Sequence, residues 1–279
     1  MIVWFFSYIC SVMSKLNNDK YYTPRSIAES CVNKFLELIN INDITEVVEP
    51  SVGDGAFLNQ QLYVDRAYDI APETNDERVI TADYLTIDLP YKKGRATIGN
   101  PPYGSRMNLA QKFFKKAVET SDYVAFILPI SQLNNTQSLY EFDLIYSEDL
   151  GKQRYTDRDL HCCFNIYRRP ANGKLNSKPK SNIKGIKFVR NDSKGYEELN
   201  YDVRVCLWGD GTCGKILNEG EHYSAEYKIS VSNKLKNKKD IIKFIKTHDW
   251  RSEVNCIAMK KLQKFHFINA IKKQFKNLD

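Results

Sequence analysis

Residues 45–57 read Thr-Glu-Val-Val-Glu-Pro-Ser-Val-Gly-Asp-Gly-Ala-Phe, and the fold is decided there. A short β-branched run closes at Pro50, a glycine loop follows from Ser51 to Gly55, and Ala56 to Leu62 is expected to begin a helix. Strand, glycine loop and helix in that order open a βαβ unit. Gly53 and Gly55 let the backbone turn tightly and approach a ligand closely. The Gly-Lys-Ser/Thr of a phosphate loop is absent, and so is the full GxGxxG of a dinucleotide site. Glu49, just ahead of the loop, suits a cationic or hydroxyl-rich ligand better than a pyrophosphate.

Further alternations surround this core. Ser26 to Ile39 carries apolar residues at helical spacing behind Thr23-Pro24. Val64 to Ile70, Val79 to Ala82 and Ala96 to Gly99 read as short strands, and Leu109 to Thr120 as an amphipathic helix. Tyr123 to Leu128 is a continuous apolar run, the mark of a strand buried on both faces, and Cys162 to Tyr167 reads as a late strand. The pattern predicts an α/β fold with a doubly wound, Rossmann-like sheet. Asp69 ends the second strand, where a carboxylate can take a ribose diol; Asp83 follows the third, where it could accept from an adenine amine. Taken singly, each is better explained as a helix cap or a solvated loop acid.

Asn100-Pro101-Pro102-Tyr103 carries the most chemistry. The prolines fix the backbone and supply carbonyls with no N–H to compete for them. The asparagine oxygen and a proline carbonyl can both accept from one –NH₂ group, freeing its lone pair for attack. Tyr103 can stack on the flat ring that bears the amine.

The 279 residues have 42% hydrophobic and 27% charged content, ordinary values for a folded chain. The seven cysteines show no CxxC pair, which argues against a zinc site or a disulfide frame, and no metal is expected. Ile2 to Met13 is apolar but too short to span a bilayer. Residues 1–14 read as a short packed helix or, preferably, an over-extended start ahead of Met13. The net charge of +7 is uneven: about 18 basic and 22 acidic residues run to Gly173, and about 23 basic and 12 acidic follow it. Arg169 to Lys184 is rich in Pro, Asn, Ser and Lys. The expected organisation is a catalytic domain over 15–172, a linker over 173–185 and a small basic α+β domain over 186–279. A basic appendage suits a polyanion, because lysine and arginine displace counterions from phosphates.

Tyr22-Thr23-Pro24, Glu49 to Phe57, Asp69, Asp83-Tyr84-Leu85 and Asn100 to Tyr103, in that order, resemble the amino-methyltransferases of restriction–modification and phage type. Within them the chain is most similar to the adenine-N6 enzymes whose cofactor motifs precede NPPY. The resemblance implies a class I methyltransferase sheet, S-adenosylmethionine as cofactor and adenine N6 in DNA as target. It implies that Tyr22, Thr23 and Pro24 hold the methionine end, and that Glu49, Ser51, Gly53, Asp54, Gly55 and Phe57 line the cradle. Asp69 with Ile70 would bind the ribose, and Asp83, Tyr84 and Leu85 the cofactor adenine. Asn100, Pro101 and Pro102 would act on the target amine, with Tyr103 and Phe164 on either face of the flipped base. Val203 to Val231 resembles a segment of phage-borne adenine methyltransferases, which implies nucleic-acid contact by Lys215; Lys178 and Lys180 are placed beside it on charge. Duplex DNA is the expected partner, with a cognate restriction endonuclease possible, no membrane, a monomer and a cytoplasmic setting. The alternatives are an RNA adenine-N6 enzyme, a protein glutamine methyltransferase and an inactive nucleic-acid-binding relative. The recognition sequence is not legible in the chain.

Overall fold

The computed structural model describes residues 21–155, 158–179, 182–209, 211–254, 260–276 and 278. The apolar leader and Lys180 lie outside them. The chain forms two compact units that meet between Lys178 and Pro179.

The first unit is built on seven strands: β1 (Glu46–Glu49), β2 (Arg66–Asp69), β3 (Val79–Thr81), β4 (Arg95–Gly99), β5 (Tyr123–Pro129), β6 (Asp143–Tyr155) and β7 (Arg158–Arg168). Their order is β3-β2-β1-β4-β5-β7-β6, with the first five parallel and β7 antiparallel to both β5 and β6. This is a Rossmann-like, doubly wound sheet with a hairpin as its last pair. Helix α1 (Arg25–Leu38) buries Ala28, Cys31, Val32 and Phe35, one stripe at helical spacing. Its apolar stripe joins Val47, Ala125, Ile127, Cys162 and Phe164 in one core. Helix α2 (Asn108–Thr120) supplies Ala110, Phe113, Phe114 and Ala117 to a second core with Val48, Val124, Phe126 and Tyr167. Successive residues of β5 therefore enter opposite cores, as its apolar run requires.

A buried ion pair ties β1 to β4. Glu46 and Arg95 are register partners, and the guanidinium also donates to the Thr120 carbonyl at 2.9 Å. Two elements differ from expectation. Residues 56–62 form turns, not a helix: Leu58 N–H donates back to the Gly55 carbonyl and the Gln60 side chain takes the Ala56 carbonyl, in place of an α-helical ladder. Ala56, Phe57, Leu58 and Leu62 are buried all the same, so their apolar spacing serves a packed turn. Strand β6 was not foreseen at all; its long hairpin with β7 carries register shifts, one of them between Asp149 and Lys152 near Gly151 (φ +70°).

In the second unit, β8 (Ile186–Arg190), β10 (Glu226–Val231) and β9 (Val203–Cys206) form an antiparallel sheet in that order. Helices α3 (Lys238–Thr247) and α4 (Lys264–Gln274) complete a separate core around Trp250, Phe267 and Ile229. The sheet also buries a charged pair, Arg204–Glu226 at 2.8 Å, with the Tyr196 hydroxyl on the same carboxylate. Cys31, Cys162 and Cys163 are buried free thiols of the first unit, Cys206 and Cys213 of the second. Among the described residues no group of side chains could hold a metal, and no helix is long and apolar enough to cross a membrane.

Candidate functional site

Strand order reverses between β1 and β4, so their carboxyl ends open on the crevice where open α/β sheets bind ligands. The glycine loop leaves β1 and Asn100-Pro101-Pro102-Tyr103 leaves β4. Because Val48 lies opposite Thr97, the two loops start side by side, and the Ser51 hydroxyl donates to the Asn100 carbonyl at 3.1 Å.

A pocket occupies this crevice, lined by Tyr21, Tyr22, Thr23, Glu49, Ser51, Val52, Gly53, Asp54, Ala56, Phe57 and Asn100. Val52 falls within the expected cradle of Glu49 to Gly55, whereas Tyr21 and Ala56 were not foreseen. Ala56 carries no chemical signature, and Tyr21 could have been suggested only by adjacency to Tyr22-Thr23-Pro24. Gly53 sits at φ +57°, and an added Cβ would lie 3.3 Å from the Tyr22 ring, so that ring covers the glycine loop. Burial, then a hydrogen bond to Glu73, raises the Tyr22 hydroxyl above its ordinary range.

Glu49 is 1% exposed, and one of its carboxylate oxygens has no hydrogen-bond partner. Burial, then the neighbouring charges of Asp69 and Asp54, hold its carboxyl well above the usual carboxylate range. An orphaned acid beside two further carboxylates repels a pyrophosphate and fits a cation. Asp69 lies behind the loop: one oxygen accepts from Gly53 N–H and the other from Ala71 N–H, both at 2.8 Å.

Asn100 is held at every polar atom of its side chain. Its Nδ2 donates to Thr23 Oγ1 at 3.1 Å and to the Tyr21 carbonyl at 3.4 Å. Its Oδ1 accepts from the Tyr103 hydroxyl at 3.0 Å, which also lies 3.4 Å from Cys162 Sγ. A carbonyl can only accept, so the amide nitrogen faces Tyr21 and the oxygen faces Tyr103. The rings of Tyr21 and Tyr103 stack, 6.2 Å apart and 28° from parallel. Beyond Tyr103 the chain turns at Gly104 (φ +66°), where a Cβ would fall 2.2 Å from Asn108 Oδ1. Arg106 and Met107 then take left-handed backbone at φ 54° and 66°, each costing roughly 1–3 kcal/mol. That strain is stored directly behind the NPPY loop.

Other expectations need correction. The Tyr84 side chain is buried in the second core, stacked on Phe113 at 5.6 Å and near Tyr68, away from the pocket. Its hydroxyl is pushed up to about 12 by burial. Phe164 is fully buried in the first core, opposite Ile127 and Glu148, and offers no face to a base. Strand alternation explains Phe164, which follows the pleat of β7 inward, whereas Tyr84 lies in the turn after β3 and packs from there into the second core. Asp83 is exposed and caps its own turn, accepting from Leu85 N–H at 2.9 Å. Leu85 packs against the second core, Ile70 is exposed, and Pro24 and Gly55 flank the pocket without lining it. In the second unit Lys215 pairs with Glu221 at 2.5 Å over the Tyr223 ring, and Lys178, the last residue of the first unit, is exposed.

No family model matches the chain, and no curated protein sequence matches it. Among solved structures, it is similar to the M protein of the type I restriction enzyme EcoKI, at 12% identity and TM-score 0.44 over 92% of this chain and 71% of that one. It is also similar to a putative RNA methyltransferase from Pyrococcus horikoshii, at 18% identity and TM-score 0.43 over 53% and 86%. A third is the magnesium protoporphyrin IX methyltransferase of Synechocystis, solved with bound S-adenosylmethionine, at 11% identity and TM-score 0.39 over 52% and 79%. The Rossmann-like fold assigned to the first unit rests on its own strand order, glycine loop and crevice.

Proposed function

We propose that this chain is an S-adenosylmethionine-dependent methyltransferase acting on adenine N6 in nucleic acid, with duplex DNA as the substrate. The observation that carries the reading is the pairing of Asn100 with a pocket whose buried acid, Glu49, keeps one oxygen without a hydrogen-bond partner. The residues fit the cofactor: Asp54 and, as a bound cation draws off its proton, Glu49 offer negative charge to its ammonium and sulfonium, and Thr23, Ser51 and Gly53 line the same pocket. A dinucleotide or nucleoside triphosphate would bring phosphates against those carboxylates.

When bound, the cofactor supplies a methyl group already activated on a sulfonium. The chain's own residues then need only position the amine and stabilise the charge that grows on its nitrogen. Asn100 Oδ1 keeps a second lone pair beside the Tyr103 hydrogen bond, and it accepts one amine proton; the Pro101 carbonyl accepts the other. No covalent nucleophile is involved, and burial raises the Cys162 and Cys163 thiols out of the reactive range.

The test is transfer of labelled methyl to unmethylated duplex DNA, followed by nucleoside digestion and mass spectrometry. The expected product is N6-methyladenine, and Asn100→Ala should lower turnover by about 100-fold or more with cofactor affinity retained. Label in structured RNA alone would move the substrate to RNA. Cofactor binding with transfer to neither would overturn the enzymatic reading.

A further inference from the structure

Asn100 is gripped from outside its own loop at both ends. Its side-chain nitrogen is taken by Thr23, a buried residue 77 positions earlier in the chain. Its backbone carbonyl is taken by Ser51, 49 positions earlier. We propose that Thr23 and Ser51 are positioning residues for Asn100, so that the segments expected to hold the cofactor also set the direction of the amide that receives the target amine. This rests on the reading of Asn100 given above.

A side-chain amide presents an acceptor at one end and a donor at the other, and the two ends have nearly the same shape. Turned the wrong way, Asn100 would point –NH₂ at the –NH₂ it must accept from. Thr23 Oγ1 and the Tyr21 carbonyl lie within 3.1 and 3.4 Å of Nδ2 and can take both amide protons. With the nitrogen so occupied, Oδ1 faces the Tyr103 side and retains a free lone pair. Ser51 pins the peptide that precedes Pro101, and with it the carbonyl direction of the next residue, whose backbone the prolines already restrict. A catalytic amide held at this many points by other residues is preorganised, which is where electrostatic catalysis gains most. If Thr23 and Ser51 served the cofactor alone, neither would need to bond Asn100.

The two roles separate experimentally in the full chain. Single-turnover methyl transfer at saturating S-adenosylmethionine reports positioning; calorimetric affinity for the cofactor reports binding. Hydrogen exchange of the Asn100 side-chain amide, in protein labelled with ¹⁵N-asparagine and assigned by Asn100→Asp, reports the grip without any reaction. Thr23→Val should lower the saturated rate by about 10-fold or more, toward the ~100-fold that an ångström of misplacement costs. It should speed exchange of that amide, and Thr23→Ser should restore both. Ser51→Ala should lower the saturated rate similarly, and it decides the matter if Thr23→Val does not fold. A saturated rate and amide exchange at wild-type levels in both variants, whatever happens to cofactor affinity, would overturn the proposal. If the wild-type protein transfers methyl to no nucleic acid, the functional reading fails, and amide exchange alone then decides whether Thr23 grips Asn100.

Discussion

Glu49 shows how far a single residue can be read. Its place before a glycine loop marked it as a ligand group, and its burial makes it an expensive one in the free protein. A carboxyl whose folded pKa is raised above the ordinary 4.5 holds its proton longer when folded than when unfolded. The associated stability is present in full below about pH 4.5 and declines as pH rises toward the folded value. Glu49→Gln cannot ionise, so it should melt higher than wild type at pH 7 and level with it below pH 4.5, by roughly 2–4 °C for each kcal/mol recovered. The same change should diminish the melting shift that S-adenosylmethionine produces, because a cationic ligand loses its counter-charge. Thermal melts from pH 4 to 8, with and without cofactor, give both results. A variant less stable than wild type at pH 7, with the cofactor shift intact, would make Glu49 a purely structural acid. What the sequence could not disclose is direction: Phe164 sat at a strand position where only the pleat decides which face it enters, and Tyr84 in a turn whose path decides which core takes its ring. The contact between Thr23 and Asn100 was equally hidden, since nothing local in either segment signals the other.

At the scale of elements, legibility followed the strength of the periodic signal. β1, β4 and β5 were plain because each holds an apolar or β-branched run that ends at Gly, Pro or Asn. β6 was not, because Asp143 to Tyr155 mixes half-buried residues with Ser, Glu, Asp, Gly and Lys at the sheet edge. Residues 56–62 misled for the opposite reason, since a buried turn and a short helix ask for the same apolar content. Helix α4 offers a test of a local device. Its first turn is closed by a reciprocal pair in which the Gln263 side chain accepts from the backbone of His266 and Gln263 N–H donates to His266 Nδ1 at 2.8 Å. That bond needs an unprotonated nitrogen, and burial pulls the imidazole down to about 4. A depressed base contributes stability that is complete above its unfolded value of 6.5 and is lost as pH falls toward 4. Amide exchange in α4 should therefore accelerate between pH 6.5 and 4 beyond the ordinary dependence on pH. His266→Gln, which keeps an acceptor at the same helix position, should flatten that response; an unchanged response would assign it to another group.

Across the whole molecule, the division at Lys178 is also a division of charge. The first unit carries the pocket and Asn100; the second holds about 21 basic against 12 acidic residues. Limited trypsin digestion should cut first in the stretch around the exposed Lys174 and Lys178, leaving two resistant fragments. The full chain should bind duplex DNA with an affinity that falls steeply between about 50 and 200 mM salt, as phosphate contacts require. Selective loss of that salt-dependent affinity from the first fragment would place the contacts in the second. Affinity indifferent to salt would remove the polyanion from the reading.

The buried thiols carry a consequence of their own. A thiol reagent reaches a buried cysteine only when the structure around it opens, so its reaction is a clock for opening and not a measure of nucleophilicity. Cys31, Cys162 and Cys163 keep time for the first unit, Cys206 and Cys213 for the second. Mass-resolved labelling could therefore follow the breathing of each unit in one sample, with native reporters and without an engineered probe. Cofactor added to such a sample should slow the first clock; DNA would reveal which of the two it slows.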